Sequence, residues 1–331
     1  MEGLTDPLAR EIWTSLKSVD SCTTEFIRIS YQLLPEKVFL RDCPELLTGG
    51  RTSSGVLVAL QLLGGDPNCM AENAARAAEL GAPSIDLNFG CPAPTVNKND
   101  GGAKLLLNPD RVHRVVEAVR KAVPLDTPVT SKLRLGFVDE SLCLENAAAA
   151  ADGGSRSLTI HCRTKMDMYK PPAKWEWIPK IRAHLVEQKL EVPIFVNGEI
   201  WSLADFKRCY EISQPAGIVL GRGLMAHPFL AHEIRNYLAS LDRVPSASES
   251  TNYYQASWNF LLEYYQRCWR DVSEKYALAK VKQISRLMPL SRPWPAAKPP
   301  NLSDGEAIFS EIRALQSMKE VFATSCFQNK S

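Results

Sequence analysis

"SIDLNFGCPAPTVNKNDGGAKLLLNPDRVHRVVEAVRKAVPLDTPVTSKLRL", residues 84–135, decides the fold. It opens with a short β-prone run, 84–88, that breaks at Gly90, Cys91 and Pro92. A polar loop with a double glycine follows. Then "NPDRVHRVVEAVRKAV" carries Pro109 just inside its start and Val112, Val115, Val116, Val119 and Val123 at helical spacing. "PVTSKLRL" (128–135) is again strand-like. Strand, helix, strand in one such stretch is a βαβ unit, which makes the two strands parallel.

Working outward, the same kind of strand recurs at 22–30, 55–62, 157–161, 193–197 and 217–221, with starts 24 to 44 residues apart. The strands are β-branched and mostly apolar, as expected where both faces are covered. Between them, "NCMAENAARAAELG" is alanine-rich and stops at Gly81, and "SLADFKRCYEIS" opens with Ser202 and Asp205, close to a capping box. Seven βα units are one short of a closed eight-stranded barrel. An open doubly wound sheet would carry a glycine-rich fingerprint in its first βα turn, and "MEGLTDP" is not one. The expected fold class is therefore α/β, a TIM (β/α)8-type barrel lacking its first strand, over residues 1–240. Past that point "DRVPSASEST" reads as a linker, and the rest shows helical segments with no strand signal, broken by "PLSRPWPAAKPP". Residues 241–331 are expected to form a small all-helical C-terminal domain.

Composition narrows the class. Of 331 residues, 45% are apolar and 23% charged, the balance of a globular chain. The longest apolar run, "GVLVALQLLGG", is interrupted by Gln61 and falls short of the roughly 20 residues that span a bilayer. No basic-then-apolar leader opens the chain, so no membrane association is expected. The nine cysteines are odd in number, scattered, and without a C-x-x-C pair. This argues against a disulfide framework or a zinc site and for the cytoplasm. The net charge of +2 is uneven: residues 267–298 hold eight basic and two acidic side chains. That segment is either a solvated helical face or a contact for a polyanion.

The ends of the strands carry the chemistry-bearing residues, where such barrels build active sites. Cys91 sits in a loop stiffened by Pro92 and given dihedral freedom by Gly90. A thiol, with an ordinary pKa of about 8.5, can serve there as general acid or nucleophile. Asn88 precedes it. Lys132 alternates with apolar neighbours inside a strand, and a lysine turned into a barrel mouth needs an anionic partner. His161 and Arg163 form an H-x-R pair at another strand end. "NGEIW" (Asn197, Gly198, Glu199) and "GRG" (Gly221, Arg222) follow the last two strands, the usual place of a phosphate grip in this architecture. A phosphate grip, a lysine for a negatively charged ring, the amide of Gln61 and a proton donor together fit flavin mononucleotide.

"NFGCPAPTVNKNDGGAKLL", "SKLRLG", "HCRTK", "NGEIW" and "GRG" together resemble the tRNA-dihydrouridine synthase family, over nearly the whole chain. "TEFIRIS", "QLLPEKVF", "CPEL", "TVN" with "GGA", and "VKQIS" are most like its branch acting on uridine 16 of the D-loop. The resemblance implies reduction of the uracil C5=C6 bond in tRNA, with NADPH reducing FMN, the flavin passing hydride to C6 and Cys91 protonating C5. It implies that Lys132 contacts the N1/O2 side of the flavin and Gln61 its pyrimidine edge. Asn197, Gly198, Glu199, Gly221 and Arg222 would line the phosphate end, and Met1 and Glu2 would pass against the ring. Asn88, His161 and Arg163 would sit by flavin and target base. Arg267, Lys275, Lys280, Lys282 and Arg286 of the helical domain would hold the tRNA elbow, while Trp258, Tyr264, Tyr265 and Trp269 could stack on RNA bases but have the helical spacing of core residues, which favours packing. The protein is expected to act as a monomer without a metal. In the family a short strand precedes "MEG", so the expectation is a native start upstream of Met1 by about ten residues, one strand's worth. Competing expectations are a flavin barrel acting on a free pyrimidine, like dihydroorotate dehydrogenase, and a non-catalytic tRNA-binding protein.

Overall fold

A computed structural model describes residues 3–98, 100–241, 253–291 and 310–323. Met1 and Glu2, the linker from 242 on and the proline-rich stretch from 292 on lie outside them. The elements run α1 (Pro7–Ser15), β1 (Ser21–Thr23), β2 (Ile27–Arg28), α2 (Glu36–Asp42), β3 (Leu57–Leu63), α3 (Pro67–Glu79), β4 (Ile85–Phe89), α4 (Pro94–Asn97), α5 (Pro109–Ala122) and β5 (Val129–Gly136). They continue with α6 (Cys143–Asp152), β6 (Leu158–Thr164), α7 (Trp177–Glu187), β7 (Ile194–Asn197), α8 (Leu203–Ser213) and β8 (Gly217–Val219). Every strand pairing is parallel, in the order β1-β3-β4-β5-β6-β7-β8, with β2 also on β3. This is the sheet of a TIM-type β/α barrel with seven strand positions. Among the described residues no strand precedes Ser21, and no pairing joins β8 to β1.

Local signals explain the elements. Asp66 caps α3 by accepting from the Cys69 N–H, and Asn108 caps α5 by accepting from Arg111. Ser202 and Asp205 form the expected box at the start of α8, the Asp205 N–H donating to Ser202 Oγ at 3.2 Å and the Trp201 N–H to Asp205 Oδ2 at 3.2 Å. The strand expected over 22–30 is two pieces instead. Ser21 pairs with Leu57 but Ile27 with Leu62, so the register slips by one residue between them. At the slip Thr24 Oγ1 accepts the N–H of Gln61 at 3.0 Å, replacing a ladder bond.

Register also corrects the expectation of strands apolar on both faces. Paired residues share a face, and faces alternate along each strand. Gln61, Asp86 and Thr130 pair in one row, Asn88 with Lys132 in the next, and Arg134, His161 and Asn197 in a third. The polar side chains thus gather on the inner face. Leu60, Leu62, Ile85, Leu87, Val129, Leu133, Ile160 and Val196, all at most 1% exposed, fall on the other, beneath the helices. Each contributes roughly 1.5–3 kcal/mol by its burial.

The chain divides into two compact units, Met1–Glu199 with Arg208–Val219, and Ile200–Lys207 with Leu220–Ser331. Residues 200–207, which lead into and begin α8, belong to the second unit through their packing with later helices. Phe206 meets the Tyr237 ring edge-on at 6.1 Å, and Ser291 Oγ donates to the Trp201 carbonyl at 2.7 Å. The second unit holds α9 (Arg222–Ala226), α10 (Leu230–Leu241), α11 (Tyr253–Asp271), α12 (Glu274–Ser285) and α13 (Met318–Ala323). Ser273 ends the first long helical segment and caps α12, accepting from the Tyr276 N–H. Trp258, Tyr264 and Tyr265 are buried, and Trp269 stacks on Phe322 at 5.9 Å, so the aromatics serve as core. Among the described residues no helix is long and apolar enough to cross a membrane.

Candidate active site

The cysteine loop is held by backbone. Asn88, the penultimate residue of β4, turns its Oδ1 to accept the Gly90 N–H at 2.9 Å. Asn97 closes the far side: its Nδ2 donates to the carbonyls of Cys91 (3.2 Å) and Ala93 (2.7 Å), and its Oδ1 accepts from the Lys104 N–H at 2.9 Å. The Ala103 N–H also donates to the Cys91 carbonyl, at 3.1 Å. Gly102 has φ +60°, and a Cβ on it would stand 2.8 Å from the Cys91 oxygen, which explains one glycine of the pair. Cys91 itself is 9% exposed and packs with Leu63, Val96, Phe26 and Ala93. Gly90 acts otherwise than expected. Its φ is not left-handed, and what its missing Cβ leaves is room, since that atom would lie 3.5 Å from Arg134 Cγ and 3.6 Å from Lys132 Nζ.

Lys132 is half-buried on the inner face beside this loop. Burial pushes its ammonium down to about 8, with Arg134 adding to the shift, while Asp86 and Cys91 favour the charged form. Arg134, which sequence reasoning passed over although it stands two places along the same strand, is 2% exposed. Its Nε donates to the Gly90 carbonyl at 2.8 Å, and its Nη1 donates to the carbonyls of Thr164 and Met168, both at 2.8 Å. The Tyr169 ring lies 5.3 Å beneath the guanidinium. Gln61 joins neighbouring strands: its Nε2 donates to Asp86 Oδ2 at 2.6 Å, and its Oε1 accepts from Asn88 Nδ2 at 2.8 Å. Asp86 is the second residue that sequence reasoning missed, buried among these polar groups.

His161 and Arg163 are 6% and 1% exposed, with His161 Nε2 and Arg163 Nη1 3.3 Å apart. Arg163 donates to the Lys170 carbonyl at 2.7 Å and pairs with the Glu199 carboxylate. These bonds fix its guanidinium between the 165–170 loop and the Glu199 carboxylate. Gly198, at φ +112°, lies so close to His161 that a Cβ would reach within 2.8 Å of the ring. Its carbonyl accepts from Trp175 Nε1 at 3.0 Å, and Asn197 Nδ2 donates to the Val219 carbonyl at 2.6 Å. Gln61, Asn88, Cys91, Lys132, His161, Arg163, Asn197, Gly198 and Glu199 therefore all stand at the carboxyl edge of one sheet.

The second unit holds the other expected residues. Gly221 precedes α9, and the Arg222 guanidinium lies 5.2 Å over the Trp201 ring. Of the five basic residues proposed from sequence, Lys275 and Arg286 are exposed and Arg267 and Lys282 half-buried. Arg267 pairs with Asp271 at 3.1 Å. Lys280 is 4% exposed, its ammonium 5.0 Å over the Tyr276 ring, so it presents no charge to solvent. The spacing Ala277, Lys280, Val281, Ile284 had placed it on the buried face of α12.

A parallel β/α barrel with Lys132 on its inner face and the cysteine loop at the carboxyl edge of the adjoining strand has the architecture of a β/α-barrel enzyme. Residues 1–295 match the dihydrouridine synthase (Dus) family, and the chain belongs to it, which makes it an oxidoreductase. The relatives are named tRNA-dihydrouridine(16) synthase. That of Pseudomonas putida is 47% identical over 317 residues, 95% of this chain and 90% of its own. That of Shewanella oneidensis is 44% identical over 325 residues (97% and 94%), and that of Aquipseudomonas alcaligenes 42% over 321 (97% and 95%).

Two outcomes follow from this geometry. Because Lys132 titrates at about 8 in the fold against an ordinary 10.5, the unfolded chain holds a proton between those values that the folded chain has released. Stability therefore rises with pH across that window, and the penalty is full below it. Lys132→Met removes the rise and is more stable than the wild type at pH 7 by roughly 2–3 kcal/mol, read by urea denaturation at pH 7 and pH 10. Gly102→Ala, which meets both a left-handed φ and the Cys91 carbonyl, costs about 1–2 kcal/mol in thermal melts and lowers kcat by displacing the thiol.

Proposed function

We propose that this chain reduces the C5=C6 bond of a D-loop uridine in tRNA, at position 16, to 5,6-dihydrouridine, with FMN as cofactor and NADPH as reductant. The observation that carries the reading is the thiol of Cys91, fixed by its own loop backbone, with the Lys132 ammonium in the adjoining row of the inner face. The printed names of the relatives point the same way.

The residues fit a flavin. A cation whose pKa burial has depressed to about 8 gains most from an electron-rich neighbour, and Gln61 supplies an amide edge in the row below. When bound and reduced by NADPH, FMN supplies the hydride that goes to C6 of the uracil. Lys132 would hold negative charge on the N1/O2 side of a bound flavin, Gln61 would orient its pyrimidine edge, His161 would stand beside it, and Asn197 would stand at its phosphate end. Asn88 and the Gly90 backbone place the thiol, and Cys91 Sγ–H gives its proton to C5, completing the two-electron reduction. Arg163 keeps Glu199 and the 165–170 loop in place from behind. The target base must leave its stack to reach the thiol, at a cost of a few kcal/mol.

The helical unit takes the RNA backbone in this reading, through Lys275, Lys282, Arg286 and Arg267. Such contacts bind phosphate with strong salt dependence and carry little sequence information. The described cysteines are thiols rather than disulfides, in keeping with a cytosolic enzyme, which we take to act as a monomer.

The test is a map of dihydrouridine in tRNA from cells lacking the gene. One D-loop dihydrouridine disappears, the wild-type gene restores it, and Cys91→Ala does not. In vitro the variant loses about 10²–10⁴-fold in kcat, the contribution of a positioned general acid. Restoration by Cys91→Ala, or turnover of a free pyrimidine without tRNA, overturns the proposal. Lys275→Ala with Arg286→Ala raises KM for tRNA with little change in kcat and flattens the dependence of log K on log salt by about 0.7 per lost contact.

A further inference from the structure

We infer that Asp86 is the positioning residue of the cysteine loop: its carboxylate sets the direction of a hydrogen-bond chain that crosses three strands and ends on the N–H of Gly90. The chain is Thr130, Asp86, Gln61, Asn88, Gly90. Thr130 Oγ1 donates to Asp86 Oδ1 at 2.6 Å, and Gln61 Nε2 donates to Asp86 Oδ2 at 2.6 Å. Asn88 Nδ2 donates to Gln61 Oε1 at 2.8 Å, and Gly90 N donates to Asn88 Oδ1 at 2.9 Å. Register makes it possible, since Gln61, Asp86 and Thr130 lie side by side on three adjacent strands and Asn88 stands one inward-facing place further along β4.

An ionised carboxylate accepts hydrogen bonds and donates none, whereas an amide does either, according to which way it is turned. Gln61 and Asn88 are two amides in series, so their orientations are settled by what stands at the ends of the chain. At one end is the backbone N–H of Gly90, a fixed donor. At the other is Asp86, a fixed acceptor. With both ends fixed, only one sense satisfies every bond. With an amide or a protonated acid at position 86, which donates as well as accepts, the reversed sense loses only the Gly90 bond, and the Gln61 amide turns over in a fraction of the molecules. Its NH2 would then face Asn88, turn that amide in sequence, and set NH2 against the Gly90 N–H. The bond that starts the cysteine loop would be lost with no contact of Cys91 itself altered.

The negative charge has a second effect. Asp86 is one of the two groups that favour the protonated form of Lys132 against burial and against Arg134. Burial raises the pKa of Asp86 itself, opposed by the bonds from Thr130 and Gln61 and by Lys132. Losing the charge therefore lowers the pH at which Lys132 gives up its proton.

This inference rests on the proposed function for its bearing on catalysis, but its direct test needs neither cofactor nor tRNA. Gly90 is the one glycine of 18 that follows a phenylalanine. A chain labelled with carbonyl-¹³C phenylalanine and ¹⁵N glycine thus gives a single selected amide signal, that of Gly90. In the wild type this amide exchanges slowly with deuterated solvent. In Asp86→Asn its exchange is at least tenfold faster, while the melting temperature stays within a few degrees. Gln61→Glu combined with Asp86→Asn moves the carboxylate one strand over and keeps it acceptor-only. Position 86 then donates to it, Asn88 still donates to it, and exchange at Gly90 returns to within twofold of wild type. Thr130→Val lowers stability but leaves Gly90 exchange unchanged, because Asp86 remains the acceptor.

Should Asp86→Asn not fold, the double variant decides: protection at Gly90 supports the inference and fast exchange overturns it. Unchanged exchange in Asp86→Asn, or loss of protection in Thr130→Val, also overturns it. In enzyme assays Asp86→Asn lowers kcat, leaves KM for tRNA within twofold, and shifts the alkaline limb of the pH–rate profile to lower pH. An inactive wild type beside protected Gly90 would remove the proposed function and leave the positioning role standing.

Discussion

The guanidinium of Arg134 ties together the ends of two neighbouring βα units. From the end of β5 it donates on one side to the carbonyl of Gly90, in the loop after β4, and on the other to the carbonyls of Thr164, the last residue of β6, and Met168 beyond it. All three acceptors are main-chain oxygens. A charged donor held in such a cradle is worth more than a neutral one, and none of the three bonds depends on the side chains of the loops it joins. The cysteine and the H-x-R strand are thus referred to a common point.

Around that point the inner face carries charge that the fold alone would not favour. Lys132 is pushed towards neutrality by burial and by Arg134, Asp86 keeps its carboxylate against burial through the bonds from Thr130 and Gln61 and the charge of Lys132, and Arg163 is paired with Glu199. Buried ionic groups are weak contributors to stability, and apolar replacements of the same volume often hold a fold better. Their concentration at the carboxyl edge of the sheet, with leucine and isoleucine filling the opposite face, marks where stability has been given up for chemistry.

Much of this was legible in the amino-acid sequence. The runs 84–88, 128–135 and 157–161 stand within a residue or so of β4, β5 and the start of β6, because glycine, proline and polar clusters bound them sharply. Cys91, Lys132 and the pair His161 and Arg163 were visible because each is chemically out of place in its local run. Asp86 and Arg134 were not, although each sits two positions from a residue that was noticed. Their meaning lies in partners on other strands, and only register supplies those. The break at Thr24 is likewise a product of pairing with β3. Lys280 is a different case: the spacing of its apolar neighbours showed its buried face, but its charge drew attention first.

Asn97 and the Ala103 N–H fasten the cysteine loop through the carbonyls of Cys91 and Ala93, Asn97 also accepting from the Lys104 N–H, and Gly102 leaves the room for this closure. Because these anchors are peptide groups, most of the loop's remaining side chains are free to drift over evolutionary time without moving the sulfur. Length is another matter, since one inserted or deleted residue between Cys91 and Gly102 would undo the closure. Divergence in this segment should therefore proceed by exchange of side chains at constant loop length.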